Sequence, residues 1–143
     1  MTMKRRTTDD LNTELMQANS LKKFLYDNDQ FFSPKDFPRL LSEKMQECNV
    51  SKSELAKAAG MSEVYLHQLL SGRRNPSRTR LVCICIGLGL SFDETQKFLF
   101  RAGLGQLYAK VRRDAIIIYG IDHGMDLFRI NDLLFDANEN TLI

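Results

Sequence analysis

The chain has no tryptophan, only three prolines and three cysteines, and no apolar run long enough to cross a bilayer. The last absence excludes a membrane-spanning helix, which takes roughly eighteen or more consecutive apolar residues. The basic start at residues 1–6 leads into Asp9, Asp10 and Asn12 and not into the apolar stretch of a secretory signal, so the expected compartment is cytoplasmic. Cys48, Cys83 and Cys85 are odd in number, and the last two alternate with Ile84 inside an apolar run. They read as small core fillers in a reducing cell. His67 and His123 are remote from that pair and no second cysteine pair completes four ligands, so neither a metal nor another cofactor is expected. Hydrophobic residues at 43% and charged residues at 27% exclude a disordered tail. At 143 residues there is material for one compact body with an added helical lobe.

Charge is close to balanced overall, at +2, but unevenly spread. Residues 44–113 carry 12 Lys or Arg against 5 Asp or Glu, whereas residues 114–143 carry one Arg against 6 acids. A basic middle attracts a polyanion and an acidic end points away from it; solvated helix surfaces account for the same counts.

The periodicity is helical nearly throughout. Leu11, Leu15, Ala18, Leu21 and Leu25 recur at three and four residues, which predicts one long first helix over residues 11–26. Ser33, Pro34, Lys35 and Asp36 have the order of a helix start, with Phe37, Leu40, Leu41, Met45 and Cys48 forming one apolar face behind it. Ser51 and Glu54 make a capping box, and Gly60 supplies the left-handed residue of a tight exit. Ser62 caps the next helix, Leu66 is placed to pack on Met61, and Gly72 closes the segment. Two short helices joined by a turn containing glycine are the physical content of a helix-turn-helix, with Ala56, Met61, Leu66 and Leu69 as its inner contacts.

The run Glu54, Leu55, Ala56, then Gly60, Met61, Ser62, then Tyr65, Leu66, then Ser71, Gly72, Arg73, Arg74, Asn75, Pro76, Ser77 resembles the core of lambda-repressor/Cro-like, or XRE-type, helix-turn-helix proteins. Leu81, Cys85, Leu88, Gly89 and Leu90 extend the likeness, which covers residues 36–103. The resemblance implies an all-α fold that places its third helix, residues 62–70 here, in the DNA major groove. It implies base-facing positions at Glu63, Val64 and His67 or Gln68, and phosphate-facing positions at Lys52, Ser62, Arg73, Arg74 and Asn75. Tyr65 is divided between packing and a backbone contact. By their chemistry, Lys52, Arg73 and Arg74 suit phosphate, Gln68 suits adenine and Val64 suits a thymine methyl. Lys52 stands where the family commonly has glutamine, so a familiar brace between reading helix and backbone is rebuilt or absent. Glu63 reads either as a partner for a cytosine amino group or as an acid favoured in a helix's first turn.

Residues 78–103 repeat at 113–138 with an offset of 35, aligning Arg78 with Arg113, Gly89 with Gly124 and Phe100 with Phe135. Each unit reads as a helix, a glycine corner and a second helix, with Asp126 capping the last. The whole pattern resembles an XRE subgroup with an extra N-terminal helix and a C-terminal helical hairpin. The expected organisation is an extension at residues 8–35, the helix-turn-helix domain at 36–103 and a packed hairpin at 106–138. Residues 107–113 form a basic connector, and residues 103–105 its hinge. No catalytic motif is present, so an enzyme is not expected. Two functions remain: a sequence-specific regulator binding double-stranded DNA as a homodimer, or a protein-interaction module that keeps the shape while Glu63 and Val64 face a protein partner. Continuous positive charge over residues 52, 73, 74 and 78 is the mark of the first, and a broken patch with an exposed apolar surface is the mark of the second.

Overall fold

A computed structural model describes residues 7–29 and 37–143 and divides the chain into two compact units, residues 1–34 and 35–143. Among the described residues there are nine helices and no strand. An all-α fold is therefore what the chain adopts.

The first unit holds α1 (Thr8–Gln17) and α2 (Leu21–Asp27). The single long helix read over residues 11–26 is corrected here, because the chain leaves helical geometry at Ala18 and restarts at Ser20. Ser20 Oγ accepts from the Lys23 N–H at 3.2 Å. A serine that satisfies a free N–H of a new first turn competes with continued helix, which periodicity alone does not weigh. Thr7 and Asp10 close a capping box at the start of α1, and Asn28 Nδ2 donates to Glu14 Oε1 at 2.9 Å to tie the two helices together.

The helix start read at residues 33–36 lies outside the described residues; α3 is described as Phe37–Glu47, with Pro38 in its first turn. The second unit continues with α4 (Lys52–Ala58), α5 (Glu63–Leu70), α6 (Arg78–Gly87), α7 (Phe92–Arg101), α8 (Arg112–Asp122) and α9 (Leu127–Asp136). Helix α6 is the centre of this body: Leu81, Val82, Cys83, Ile84, Cys85 and Ile86 are all buried, so no face of its middle meets water. Helix α4 reaches it closely at Gly87, where an added Cβ would lie 3.1 Å from the Ala59 backbone nitrogen. Asn49, which ends the segment after α3, adopts the left-handed φ of 54°.

The 35-residue offset is visible in the backbone. The exit of α6 is closed by Leu90 N–H donating to Cys85 O at 3.1 Å, and that of α8 by Met125 N–H donating to Gly120 O at 2.9 Å. The exits of α7 and α9 repeat each other too, with Leu104 to Leu99 and Glu139 to Leu134, both at 2.9 Å. These six-residue closures need a left-handed residue, supplied by Gly89 and Gly124 at the first pair of corners. Helices α8 and α9 cross where Gly120 meets Ile130, with room for no side chain at Gly120.

Residues 137–143 form a strap over this body. Arg112 donates to Ala137 O at 2.9 Å and Arg113 to Asn140 O at 2.8 Å. Asn131 Oδ1 accepts from Leu142 N–H at 2.7 Å and Ile143 N–H at 3.1 Å. Leu142 is buried, and Ile143 reaches the turn between α4 and α5, where an added Cβ on Gly60 would lie 3.1 Å from Ile143 Cγ2.

Candidate nucleic-acid interface

The pair α4 and α5 is fixed by short-range signals and one small residue. Ser51 Oγ accepts from Glu54 N–H at 3.1 Å while Glu54 Oε1 accepts from Ser51 N–H at 3.2 Å, which sets the start of α4. Gly60 has φ +64°, a conformation that a Cβ disfavours, and Met61 N–H donates back to Ala56 O at 3.0 Å. Ser62 Oγ then accepts from Tyr65 N–H at 3.1 Å and begins α5. Leu66 and Leu69 are fully buried and Ala56 nearly so, which anchors one side of α5 against α3 and α4.

The opposite side of α5 is in solvent. Glu63 and His67 are exposed, Val64 is 69% exposed, and Tyr65 and Gln68 are half-buried. Burial of Leu66 and Leu69 leaves Val64, His67 and Glu63 outward by helical geometry alone. Val64 is the one apolar residue of α5 that the fold leaves in water.

Cations flank this face at both ends. Lys52, at the first position of α4, places Nζ 3.3 Å from His67 Nδ1, and since an ammonium only donates, that ring nitrogen is the acceptor. The position read as a lost or rebuilt brace thus carries a link between α4 and α5. Arg73, Arg74 and Asn75 are exposed in the loop after α5, with Arg74 N–H donating to Gln68 O at 3.2 Å. The Arg74 guanidinium lies 5.8 Å from the Tyr65 ring centroid and that of Arg80 5.4 Å from it, so the ring face is flanked by two positive charges. Tyr65 therefore packs and also organises cations.

Positive charge is not continuous through residue 78, and beside the exposed Val64 this is the broken patch that marks the protein-interaction module. Arg78 turns away to donate to Gly105 O at 2.7 Å and Gln106 O at 2.9 Å, and its Nη2 meets Asp114 Oδ2 at 2.7 Å. Asp114 also accepts from Tyr108 N–H at 3.0 Å. Burial alone would raise the Asp114 carboxyl, but the Arg78 guanidinium and the Tyr108 N–H outweigh it and hold the group below its ordinary range. Arg80, two residues further on and half-buried, faces the Tyr65 ring instead. Two residues along a helix differ by about 200°, so Arg78 and Arg80 cannot share a side; that spacing was the available signal for Arg80. Arg112 and Arg113 of the basic connector are likewise held by strap carbonyls.

Among the described residues no group of three or more His, Cys, Asp or Glu is placed to hold a metal ion. Burial pushes the Cys83 thiol up to about 11 and that of Cys85 up to about 12, which fits packing roles. No helix among the described residues is long and apolar enough to cross a membrane.

Residues 41–94 match the helix-turn-helix family model. The match starts in α3 and ends in the first turn of α7, so it contains the whole of α4, α5 and the loop carrying Arg73, Arg74 and Asn75. No curated protein and no solved structure matches the chain.

Proposed function

We propose, from the premise that residues 41–94 form an XRE-type helix-turn-helix domain, that this protein binds double-stranded DNA sequence-specifically and regulates transcription. One observation carries the reading: the solvent face of α5 has an uncommitted apolar side chain, Val64, between cations on both flanks, Lys52 on one and Arg73, Arg74 and Arg80 on the other. That is the charge arrangement of a helix seated in a groove with a phosphate ridge on each side.

In this reading Arg73, Arg74 and Lys52 meet phosphates, with Asn75 and the Ser62 hydroxyl at the edges of the contact. Arg80 joins them through Tyr65, which holds two guanidiniums in place before DNA arrives. Ordering long cationic side chains costs roughly 1 kcal/mol each on binding, and a ring that already positions them lowers that cost. Val64 and Gln68 read bases, Val64 against a thymine methyl and Gln68 through its amide on adenine. Glu63 disfavours a base that offers it no amino donor, which leaves cytosine, its usual partner, or adenine nearby. His67 serves by receiving Lys52 and so fixing where that ammonium stands. One such helix covers too few base pairs to select a site in a genome, so the working form is a homodimer on half-sites separated by about one helical turn, roughly 34 Å.

Exposure of Val64 and Glu63 side by side equally suits a protein partner. Salt separates the two. Replacing Arg73 and Arg74 together with alanine is expected to weaken matched and random duplexes by similar factors, and to lower the log-log salt slope by about 1 per lost phosphate contact. Gln68→Ala instead reduces the preference for the matched duplex, by about 1 to 3 kcal/mol for a bidentate contact. Fluorescence anisotropy with a random pool and then an enriched site measures both. Absence of salt-dependent binding to any duplex removes the DNA reading and leaves the protein-interaction module.

A further inference from the structure

The turn between α4 and α5 is backed by residues far along the chain. A Cβ added to Gly60 would lie 3.1 Å from Leu127 Cδ2, 3.1 Å from Ile143 Cγ2 and 3.2 Å from Ile143 Cδ1. Leu127 opens α9 and is fully buried, whereas Ile143 belongs to the strap and is 44% exposed. Polar groups, not depth, keep Ile143 there. Asn131 of α9 commits its whole amide to this segment: Oδ1 accepts from the N–H groups of Leu142 and Ile143, and Nδ2 donates to Ile143 O at 3.3 Å. Arg113 holds the preceding residues through Asn140 O and Thr141 O. Beneath them Leu142 is buried, with its carbonyl oxygen 3.9 Å from Cys83 Sγ. Gly60 at φ +64° and the bond from Met61 N–H to Ala56 O set the angle at which α5 leaves α4. Glycine is conformationally permissive, so a turn built on one gains definition from whatever packs on its α-carbon.

We propose that Asn131 and Ile143 are positioning residues for DNA reading: Asn131 seats the strap, and Ile143, resting on Gly60, holds α5 at its reading angle. The inference rests on the DNA-binding reading for what α5 does, and it gives the hairpin of α8 and α9 a part in specificity. Specificity is where the effect falls. Phosphate contacts from Lys52, Arg73 and Arg74 are made by long side chains that follow a small tilt of α5, whereas a bidentate contact by Gln68 is lost within about 1 Å. Opening of the strap is a local event. It breaks surface hydrogen bonds and uncovers Leu142 and Cys83 without undoing α6, so it costs less than global unfolding.

The test uses the full chain, two variants and a conservative control. Asn131→Ala removes the amide bonds to the strap, while Ile143→Gly keeps them and empties the contact on Gly60. Ile143→Val retains Cγ2 and is the control. In amide hydrogen exchange, Met61 N–H is expected to exchange at least about tenfold faster in the two variants and near the native rate in the control, with the amides of α6 unchanged. Cys83 is expected to meet a thiol reagent at least about tenfold faster in Asn131→Ala, with Cys85 still protected. In anisotropy, the preference for the matched over the random duplex falls roughly threefold to tenfold in both variants, and the salt slope stays within about 0.5 of native. Native exchange at Met61 in both variants, faster exchange spread equally over Met61 and α6, or equal loss on matched and random duplexes overturns the inference. So does an Ile143→Val protein as impaired as Ile143→Gly. A protein that binds no duplex but shows the Met61 pattern keeps the hold on α5 and removes the DNA reading alone.

Discussion

Replacing Asp114 with alanine tests how the hairpin of α8 and α9 is held to the rest of the body. The side chain is 5% exposed and accepts from Arg78 Nη1 at 3.2 Å, from Arg78 Nη2 at 2.7 Å and from Tyr108 N–H at 3.0 Å. Breaking a buried ion pair by removing one partner costs about 3 to 5 kcal/mol. Arg78 is 31% exposed and keeps the carbonyls of Gly105 and Gln106, which argues for the lower end, about 3 kcal/mol. For a chain of this size that corresponds to a midpoint lowered by roughly 6 to 12 °C in a thermal melt. Asp114→Asn keeps the shape and one acceptor and should lose about half as much. The pH dependence has a definite sign. The carboxyl is depressed in the folded state, so its contribution is complete above the ordinary carboxylate range and is lost as pH falls through the lower folded value. The gap between native protein and Asp114→Ala is therefore constant at neutral pH and closes in acid, below about pH 4. A gap under about 0.5 kcal/mol, or one that does not change down to pH 2, would refute the reasoning.

The two arginines at the start of α6 should separate stability from binding. Arg78→Ala lowers the melting temperature with little change in salt slope, whereas Arg80→Ala lowers DNA affinity and leaves the melt within about 1 kcal/mol; melts and anisotropy on both variants check this, and the reverse pattern refutes it. Gly120→Ala forces a Cβ to 2.4 Å from Ile130 Cγ1 and should cost about 2 to 3 kcal/mol. Ile130→Ala in that background should cost clearly less than Ile130→Ala alone in a urea titration. Cys83 and Cys85, buried and with thiols raised to about 11 and about 12, should resist a thiol reagent at pH 8 until denaturant is added; rapid labelling in native buffer would contradict their placement.

What the sequence made legible was local. Ser51 with Glu54, Ser62 and Asp126 all cap the helices they are read to cap, and Gly60 takes the left-handed φ assigned to it. Each such signal is complete within about four residues, so no knowledge of the rest of the fold is needed. The 35-residue offset was legible for the same reason, since it repeats local punctuation. Partners distant in sequence were not. Arg78 meets Asp114 across 36 positions and Lys52 meets His67 across 15, and nothing in their composition names the other member. Counting charge along the chain treats Arg78 and Arg113 as free surface cations, although the fold commits them to carbonyls and a carboxylate. The break at residues 18–20 was missed because apolar periodicity runs through it in phase, and the cap at Ser20 is a stronger local term.

The long reach of Arg78 bears on how the protein emerges from the ribosome. The helix-turn-helix segment and all of α6 are synthesised before Asp114 exists, and at 5 to 20 residues per second Arg78 waits roughly 2 to 7 s for its partner. Through that interval α6, which has no water-facing side in its middle, lacks α9 and the strap, including Leu142, whose carbonyl lies 3.9 Å from Cys83 Sγ. The nascent chain thus carries the completed α4–α5 pair beside an apolar surface still waiting for its cover. A stalled or truncated product is accordingly a candidate for chaperone capture, and completion of the hairpin is the step that releases it.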